Sequence, residues 1–311
     1  MKERVVYLNG RLVPESQAAI SVFDRSVQWG DAVYDAARTF NHRPFKLQEH
    51  IERLYRSCRY TRMPIRLMPE EMERHTLEVV ERNMPLLGPN DDDMIWWTVT
   101  RGVNPLTRSV LDCHEATVII CTFPVPFGAF AKWMTRGARV VTPSVRRTPP
   151  QCLDPRAKVS NKMNHILADL EVKGADPEAY SLMLDIHGNL AENSGANFFF
   201  VRQGQLCTPA AHNILEGITR ATIVELARSL GTPVVEGDFT VYDVYTAEEA
   251  FLATTTYSIL PVAQLNGAPV GGKRPGPLTR RLIEAWNALV GVDIVAQALS
   301  HLELEPLAVK S

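Results

Sequence analysis

A lysine and a glutamate frame one segment in the middle of the chain. Lys158 stands just before residues with helical apolar spacing, and Glu192 lies in a mainly apolar stretch that follows a turn at 187–189. A neutral lysine amine can attack an aldehyde carbon and form a Schiff base. Because an acid and the small residues 194–196 interrupt the apolar stretch, we expect something other than side chains to fill the space there.

The elements that must position these two groups are a helix and a pair of strands. The apolar residues within 166–172 recur with a helical period, and Ser160 or Asn161 can cap that helix. Residues 181–185 form a short apolar run typical of a buried strand. The His-Gly-Asn sequence at 187–189 then supplies a tight turn into the second strand.

The sequence before this segment predicts an α/β domain. An Asn-Gly pair at 9–10 predicts a hairpin turn, and residues 45–62 and 69–84 have the apolar spacing of helices. Strands are predicted over 94–101 and 116–123, and the Pro- and Gly-marked sequence that follows predicts a linker. We therefore expect an N-terminal α/β domain over 1–123, an interdomain linker over 124–137 and a C-terminal domain over 138–311.

The sequence after the segment continues with alternating strands and helices. A hairpin is predicted around 202–204, and the turn at 214–220 leads into a helix. A short helix over 241–249, a strand and turn over 250–262 and a final helix within 271–291 follow.

Bulk composition bounds the class of protein. A chain of 311 residues is long enough for two domains, and its 45% hydrophobic and 22% charged residues are typical of a globular protein. The net charge of −2 gives no electrostatic reason to expect binding to nucleic acid or to an anionic membrane. Five cysteines without a C-x-x-C pair, and no apolar run of signal-peptide or membrane-span length, predict a cytoplasmic protein with free thiols.

The segment from 154 to 200 resembles the lysine-to-glutamate segment of the class IV, or fold type IV, aminotransferases. The spacing from Lys158 to Glu192 and the pattern L-D-x-x-G-x-x-x-E-x-x-x-x-N, which ends at Asn197, carry a resemblance that covers nearly the whole chain. That family includes branched-chain, D-amino acid and (R)-amine transaminases and aminodeoxychorismate lyase. The resemblance implies the two-domain α/β fold of type IV enzymes, similar to D-amino acid aminotransferase, in which the C-terminal domain binds pyridoxal 5'-phosphate (PLP).

The resemblance implies that Lys158 holds PLP as a Schiff base and carries the substrate proton. Lys162 and Lys173 are the alternatives, and both are expected to lie later in the same helix. A solvated lysine near a helix C-terminus is ordinary, which is the simplest account of Lys173. The spacing to Glu192 and the preceding Asp-Pro at 154–155 favour Lys158.

The resemblance further implies that Glu192 is the partner of the pyridine nitrogen. A carboxylate there keeps the ring protonated, so that the ring can act as an electron sink. The structural alternative is a surface acid that follows a hairpin turn. Asn197 is in register with Glu192 and is implied as part of the same cofactor site.

The phosphate group of PLP needs N–H donors, hydroxyl groups and a cation. Gly217, Ile218 and Thr219 come before a predicted helix, and their G-I-T sequence resembles the family's phosphate-binding turn at a helix N-terminus. Thr255 and Arg53 match a phosphate threonine and a phosphate arginine of the family. The alternatives are an ordinary helix cap, an unremarkable strand end and an exposed helix arginine.

At the position that contacts the O3' atom of the cofactor in branched-chain members, this chain departs from their sequence pattern. Branched-chain members place a tyrosine there, whereas this chain has Met163, Asn164 and His165 in that region. Asn164 and His165 are candidates for the contact, and a core-facing or capping role is the alternative.

Candidate substrate residues lie in the first domain. Tyr34 matches a family position that faces the substrate, and Trp29 and Arg38 flank it. The Tyr-x-Arg-Pro strand of many branched-chain enzymes is missing, since tryptophans occupy 96–97. The following loop carries Arg108, a candidate for binding a substrate carboxylate, for which a solvated loop arginine is the alternative.

These observations predict a PLP-dependent transaminase that moves an amino group from an (R)-amine or D-amino acid to a small 2-keto acid. The alternatives are branched-chain L-amino acid transamination and, less favoured, a lyase of the aminodeoxychorismate type. A non-catalytic binding protein is disfavoured because Lys158, Glu192, Arg53 and Thr219 are all present. The resemblance implies a homodimer or an assembly of dimers, without a metal.

Overall fold

The computed structural model describes residues 3–104, 107 and 109–302. These residues form two compact units, and each unit contains one β-sheet. Unit 1 extends to Val125 and also includes Ala157–Lys162, whereas unit 2 contains Pro126–Arg156 and the chain from Met163 onward. The short piece Ala157–Lys162 therefore belongs to a different unit from the residues on both sides of it.

Unit 1 is built on an antiparallel sheet with helices packed on it. Its regular elements are β1 (Val5–Leu8), β2 (Arg11–Pro14), α1 (Arg25–Trp29), β3 (Ala32–Phe40), β4 (Arg43–Pro44), α2 (Leu47–Thr61), α3 (Pro69–Asn83), β5 (Asp93–Thr100) and β6 (Val118–Pro124). The strand order is β2-β1-β6-β5-β3-β4, and each neighbouring pair is antiparallel. Short 3-10 turns lie at Glu15–Gln17, Met84–Leu86 and Val110–Asp112.

The hairpin of β1 and β2 confirms the Asn-Gly turn prediction. Asn9 and Gly10 have φ angles of 48° and 86°, which place both in the left-handed region. Such turns match the right-handed twist of the paired strands, and asparagine and glycine adopt them most easily.

Helix α2 packs against β3, and α3 packs against β1 and β6, so both helices cover one face of the sheet. The predicted apolar face of α2 is buried as expected. Pro69 starts α3, whose first turn carries the acids Glu70 and Glu71 next to the positive end of the helix dipole. Trp97 of β5 is fully buried beneath these helices, and its indole N–H donates to Thr76 Oγ1 at 2.8 Å.

Unit 2 is built on a larger mixed sheet. Its regular elements are α4 (Phe127–Phe130), α5 (Trp133–Arg136), β7 (Ala138–Val141), α6 (Met163–Ala175), β8 (Tyr180–Ser181), β9 (Asn197–Arg202), β10 (Gln205–Pro209), α7 (Ile218–Ser229), β11 (Val234–Gly237), α8 (Val241–Tyr245), β12 (Glu249–Thr254), β13 (Ser258–Leu265), β14 (Ala268–Pro269), α9 (Pro277–Val290) and α10 (Ile294–Ser300). The strand order is β11-β10-β9-β12-β13-β7-β8, and β14 pairs with β13. A 3-10 turn lies at Ala211–Asn213.

The centre of unit 2 is the apolar strand β9 and its neighbour β12. Phe198, Phe199 and Phe200 are fully buried, and the ring of Phe199 stacks on Phe251 of β12 at a centroid distance of 5.0 Å. Helices α7 and α9 contact each other and β12, which buries Trp286 of α9. This core fixes the ends of β9 and β12, where candidate cofactor residues lie.

Three local expectations differ from the structure: the linker, the strand over 181–185 and, in the next segment, the helix after Lys158. Residues 124–137, predicted as a linker, contain α4 and α5, whose aromatic side chains Phe127, Phe130 and Trp133 are buried. The predicted strand over 181–185 shares only Ser181 with β8. Leu184 then forms an isolated bridge with Leu190, and the chain turns around Asp185, whose carboxylate accepts from the backbone N–H groups of the turn.

The helix after Lys158 also differs in its start and in its exposed face. Lys162, expected inside this helix, lies just before α6. Much of the apolar spacing of α6 faces outward, since Ile166, Leu167 and Leu170 are about half exposed or more, at 48%, 49% and 64%.

Among the described residues, no single helix has both the length and the apolar character needed to cross a membrane. Only α9 and α10 taken together, which are bent by 86° at their junction, reach that length and composition.

Candidate active site

Lys158 is fixed to unit 1 by backbone hydrogen bonds to β3. Its carbonyl oxygen accepts from the N–H of Tyr34 at 2.9 Å, and the N–H of Ser160 donates to the Ala32 carbonyl at 2.9 Å. The N–H of Lys158 also donates to Ser57 Oγ of α2 at 3.0 Å. This short stretch therefore pairs with the start of β3 as a strand would. The end of β3 pairs with β4 instead.

The amine of Lys158 lies over the ring of Tyr34. Its Nζ atom is 4.6 Å from the ring centroid, and the Nζ atom of Lys162 is 5.9 Å from the same centroid. The predicted lysine and its first alternative are thus both near the predicted substrate residue, with Lys158 closer. Lys173 is exposed near the end of α6, as expected for a solvated helix lysine.

Arg53 is held in a buried cluster beneath β3. Its Nε and Nη2 atoms donate to the two oxygens of Asp35, each at 2.8 Å, and His50 Nδ1 lies 2.8 Å from Asp35 Oδ1. Burial alone would raise the pKa of Asp35, but Arg53 and His50 outweigh burial and hold the pKa well below its usual range. The predicted phosphate arginine is therefore a fixed cation rather than an exposed helix arginine.

The pKa of His50 in the same cluster is lowered. Burial lowers the pKa of His50, and the positive charges of Arg53 and Lys158 lower it further, against the opposing effect of Asp35.

Glu192 lies in unit 2 and is held by two donors. Its Oε1 atom accepts from Arg147 Nε at 3.1 Å, and its Oε2 atom accepts from the backbone N–H of Leu215 at 2.9 Å. His165 Nε2 lies 4.0 Å from Oε1. Glu192, Arg147 and His165 are all buried, so the alternative of a surface acid for Glu192 is wrong.

Arg147 is the functional candidate that sequence reasoning missed. It stands in an irregular segment before Lys158 without helical or strand periodicity, so no pattern distinguished it from its neighbour Arg146. Asn164, a candidate for the O3' contact, instead bridges this segment. Its side chain accepts from the Thr148 N–H at 3.0 Å and donates to the Arg146 carbonyl at 2.8 Å, which is the bridging role of a structural residue.

Helix α7 begins at the residues that are predicted to bind the phosphate group. Gly217 is the N-cap residue, no side chain caps the helix, and Ile218 and Thr219 form its first turn. The predicted G-I-T sequence therefore begins the helix rather than preceding it. The first amides of an uncapped helix and its dipole attract a phosphate group, and the buried hydroxyl of Thr219 lies beside them.

Gly217 has no room for a side chain. A Cβ atom at this position would lie 2.0 Å from Asn197 Oδ1, and Asn197 Nδ2 donates to the Leu215 carbonyl at 3.0 Å. Asn197 thus ties the strand β9 to the turn that carries the backbone donor of Glu192. This close approach and the uncapped helix are the structural observations that fit the phosphate and ring of PLP.

Thr255 lies in the turn between β12 and β13. Its neighbour Thr254 donates from Oγ1 to the Gly195 carbonyl at 2.7 Å, which joins this turn to the small residues after Glu192. A cavity of about 280 Å³ in unit 2 borders Ser194, Gly195, Thr254 and Thr256, but none of the predicted cofactor residues lines it.

The structure places two of the predicted substrate residues, Tyr34 and Arg38, on the strand β3. Tyr34 is partly exposed and stacks on Trp96 at a centroid distance of 4.7 Å. Arg38 is 2% exposed, donates to the Thr39 carbonyl at 3.1 Å and lies 3.6 Å from Asp92. Its guanidinium is buried against its own sheet, and contact of Arg38 with the substrate stays a prediction. Arg108 lies outside the described residues.

Comparison with known proteins assigns the family. The family model for amino-transferase class IV matches residues 32–265. A putative branched-chain-amino-acid aminotransferase of Methanocaldococcus jannaschii is 36% identical over 283 residues, which cover 91% of this chain and 95% of that protein. A D-alanine aminotransferase of Listeria monocytogenes is 31% identical over 300 residues, which cover 96% of this chain and 98% of that protein.

Solved structures support the same assignment. A T.th. branched-chain amino acid aminotransferase with pyridoxamine 5'-phosphate superposes with a TM-score of 0.84 at 32% identity, covering 94% of this chain and 95% of that chain. The fold type IV architecture and the use of PLP, both expected from the sequence, are thereby confirmed. This chain belongs to the class IV aminotransferases.

Proposed function

We propose that this aminotransferase moves an amino group from an (R)-amine or a D-amino acid to a small 2-keto acid. The observation that carries the donor class is that β5 carries Trp96, stacked on Tyr34, and contains no arginine, unlike the Tyr-x-Arg-Pro strand of many branched-chain enzymes. An indole cannot bind a carboxylate as a guanidinium does. We therefore assign carboxylate binding to Arg108, which follows β5 in the sequence.

The roles of the chain's own residues follow from their surroundings. When bound, PLP supplies an electron sink for the substrate carbon. We assign the covalent attachment and the transfer of the substrate proton to Lys158 Nζ, whose backbone is fixed to β3. Glu192, whose two oxygens are positioned by Arg147 and Leu215, would hold the proton of the pyridine nitrogen.

The phosphate group is assigned to a helix N-terminus and a cation. The amides of Ile218 and Thr219 at the start of α7 would bind it, together with the hydroxyl of Thr255. Arg53 would supply the positive charge, held in place by its paired hydrogen bonds to Asp35.

A second candidate is the transamination of branched-chain L-amino acids. It is favoured by the names of the similar proteins, which include a putative branched-chain-amino-acid aminotransferase at 36% identity and a branched-chain amino acid aminotransferase of known structure. The relative named as a D-alanine aminotransferase favours the first candidate.

We also propose that the enzyme works as a homodimer in the cytoplasm. The outward face of α6 exposes apolar side chains at Met163, Ile166 and Leu170, which a second copy would cover. The cysteines are free, as expected in a reducing compartment. Light scattering coupled to size-exclusion chromatography would show a mass of twice 34.8 kDa, and a monomer at micromolar concentration would refute the dimer.

A panel of amino donors tests the proposed reaction. Purified holoenzyme is supplied with pyruvate or 2-oxoglutarate and with matched D- and L-amino acids and (R)- and (S)-amines. We expect kcat/KM for the D- or (R)-donors to exceed that for L-leucine and L-valine by at least about 10-fold, or roughly 1.4 kcal/mol of transition-state binding. Faster reaction of L-leucine and L-valine would refute the proposal in favour of the second candidate.

Two lysine variants test whether the measured turnover depends on the proposed reactive amine. Lys158→Ala should abolish turnover with every donor, whereas Lys162→Ala should retain it. Release of pyruvate from a single substrate without any acceptor would instead indicate a lyase.

A further inference from the structure

We propose that an aromatic stripe in unit 1, formed by Tyr34, Trp96 and Phe123, selects amino donors with an aromatic or bulky apolar side chain, and that Trp96 is the specificity-determining residue. This inference rests on the proposed transaminase function and narrows its substrate class. The family assignment and the preference for a donor configuration do not by themselves specify the donor side chain.

The stripe crosses three neighbouring strands diagonally. Trp96 of β5 pairs directly with Ala36 of β3 and with Cys121 of β6, so Tyr34 and Phe123 are each displaced by two residues along their strands. The centroid distances are 4.7 Å from Tyr34 to Trp96 and 6.1 Å from Trp96 to Phe123. Diagonal neighbours on one face of a sheet are within reach of large rings, and these three rings form a continuous surface.

This surface lies on the face of the sheet that α2 and α3 do not cover. Side chains alternate along a strand, and Asp35 points to His50 and Arg53 of α2, so Tyr34 points the other way. Trp97 is likewise buried under the helices, and Trp96 therefore faces the opposite side. Trp96 is partly exposed and Phe123 is 38% exposed within the described residues.

The reactive amine lies at one end of the stripe. Lys158 Nζ is 4.6 Å from the centroid of Tyr34, and the backbone of Lys158 is hydrogen-bonded to β3 beside that residue. A donor whose reacting carbon passes its proton to this amine would place its side chain within a few ångströms of the Tyr34 ring. A side chain that extends along the sheet from there next meets the indole of Trp96.

The chemistry around Trp96 favours an apolar group. Its direct neighbours on the adjoining strands are the small residues Ala36 and Cys121, whose side chains reach less far from the sheet than the indole does. Arg38 follows on the same face of β3, but its guanidinium lies against Asp92 and the Phe40 ring. The stripe therefore offers ring faces and edges, which bind another aromatic ring more strongly than a small aliphatic group.

Paired donors that differ only in side chain test the inference. The wild-type holoenzyme and the variants Trp96→Ala and Trp96→Phe are assayed with phenylalanine and alanine of whichever configuration the enzyme accepts. Trp96→Ala should lower kcat/KM for phenylalanine by about 10- to 100-fold and change that for alanine by less than about 3-fold. Trp96→Phe should recover most of the loss. An equal loss for both donors, or no loss, would overturn the inference.

A binding measurement separates this inference from the proposed function. Titration calorimetry on the holoenzyme should show that 3-phenylpropanoate binds at least about 10-fold more tightly than propanoate, and that Trp96→Ala removes the difference. Tyr60→Ala, at an exposed aromatic residue on α2, is the matched control and should keep it. If no donor reacts but this binding preference is present, the proposed reaction is wrong and the stripe stands. If donors react and the preference is absent, the stripe is wrong and the reaction stands.

Discussion

Arg147 is the side chain through which the role of Glu192 can be tested most sharply. Its Nε atom is 3.1 Å from Glu192 Oε1, and the side chains are only 8% and 6% exposed. Replacing Arg147 with methionine keeps much of the volume and removes the charge. The other oxygen of Glu192 keeps its hydrogen bond from Leu215, so the carboxylate loses one of its two described donors.

The expected cost follows from that geometry. Breaking a buried ion pair by removing one partner costs about 3–5 kcal/mol, because the remaining charge is uncompensated. A single hydrogen bond to a charged group is worth about 1.5–3 kcal/mol. Since Glu192 keeps one donor, we expect Arg147→Met to lower the free energy of unfolding by about 3 kcal/mol.

Urea unfolding of the apoenzyme, in which no pyridine nitrogen pairs with Glu192, measures this change by circular dichroism, and steady-state kinetics of the holoenzyme measure its effect on catalysis. The variant should bind PLP but turn over about 10-fold more slowly, because Glu192 Oε1 is no longer held in place. Arg147→Lys is the matched control. It keeps the positive charge but not the fixed geometry of the guanidinium. Arg147→Lys should therefore restore the free energy of unfolding more fully than it restores the turnover rate.

A double variant distinguishes an electrostatic role from simple packing. Adding Glu192→Gln to Arg147→Met removes the uncompensated charge, so the double variant should be more stable than Arg147→Met alone, by about 1 kcal/mol or more. If the two substitutions instead destabilise the protein additively, Arg147 acts through packing and the argument from charge is refuted.

Three further predictions concern the cofactor and the substrate. Borohydride reduction of the holoenzyme followed by peptide mapping should tag Lys158, and a tag on Lys162 would refute the assignment of the reactive amine. Arg108→Ala should raise KM for the keto acid by about 10- to 100-fold, as for a lost charge-assisted contact, and leave a donor amine without a carboxylate almost unaffected. Normal kinetics with keto acids would refute that role. Gly217→Ala would place a Cβ atom 2.0 Å from Asn197 Oδ1, so it should weaken PLP binding by about 10-fold or more, and an unchanged PLP titration would show that the turn relaxes freely.

Local sequence patterns predicted much of the fold because they depend only on residues that are close together in the sequence. The Asn9-Gly10 turn and the apolar face of α2 depend on backbone preferences and on periodicity, and both are confirmed. The outward apolar face of α6 has the same periodicity as a buried face. Periodicity shows that a helix has an apolar side but not what covers it, so its exposure was not predicted.

Contacts between distant segments could not be predicted in this way. Arg38 resembled a substrate residue because it flanks Tyr34 on one strand, but Asp92, far along the chain, binds its guanidinium. Arg147 contacts Glu192 across 45 positions of sequence, in a segment without regular structure. The strand-like pairing of Lys158 with β3 was also missed, because residues 157–162 are too few to show a strand period.

The membership of Ala157–Lys162 in unit 1 has a consequence for engineering by recombination. A chimaera could join residues up to Val125 of this chain to the rest of a relative. Residues 157–162, which carry the reactive lysine, would then come from the relative, while β3 and Ser57 come from this chain. The backbone hydrogen bonds would tolerate the exchange, but the Ser57 contact and the spacing of Nζ above Tyr34 depend on both parents. Crossover points on both sides of 157–162, in addition to one near 125, would keep the reactive amine together with the strand that orients it.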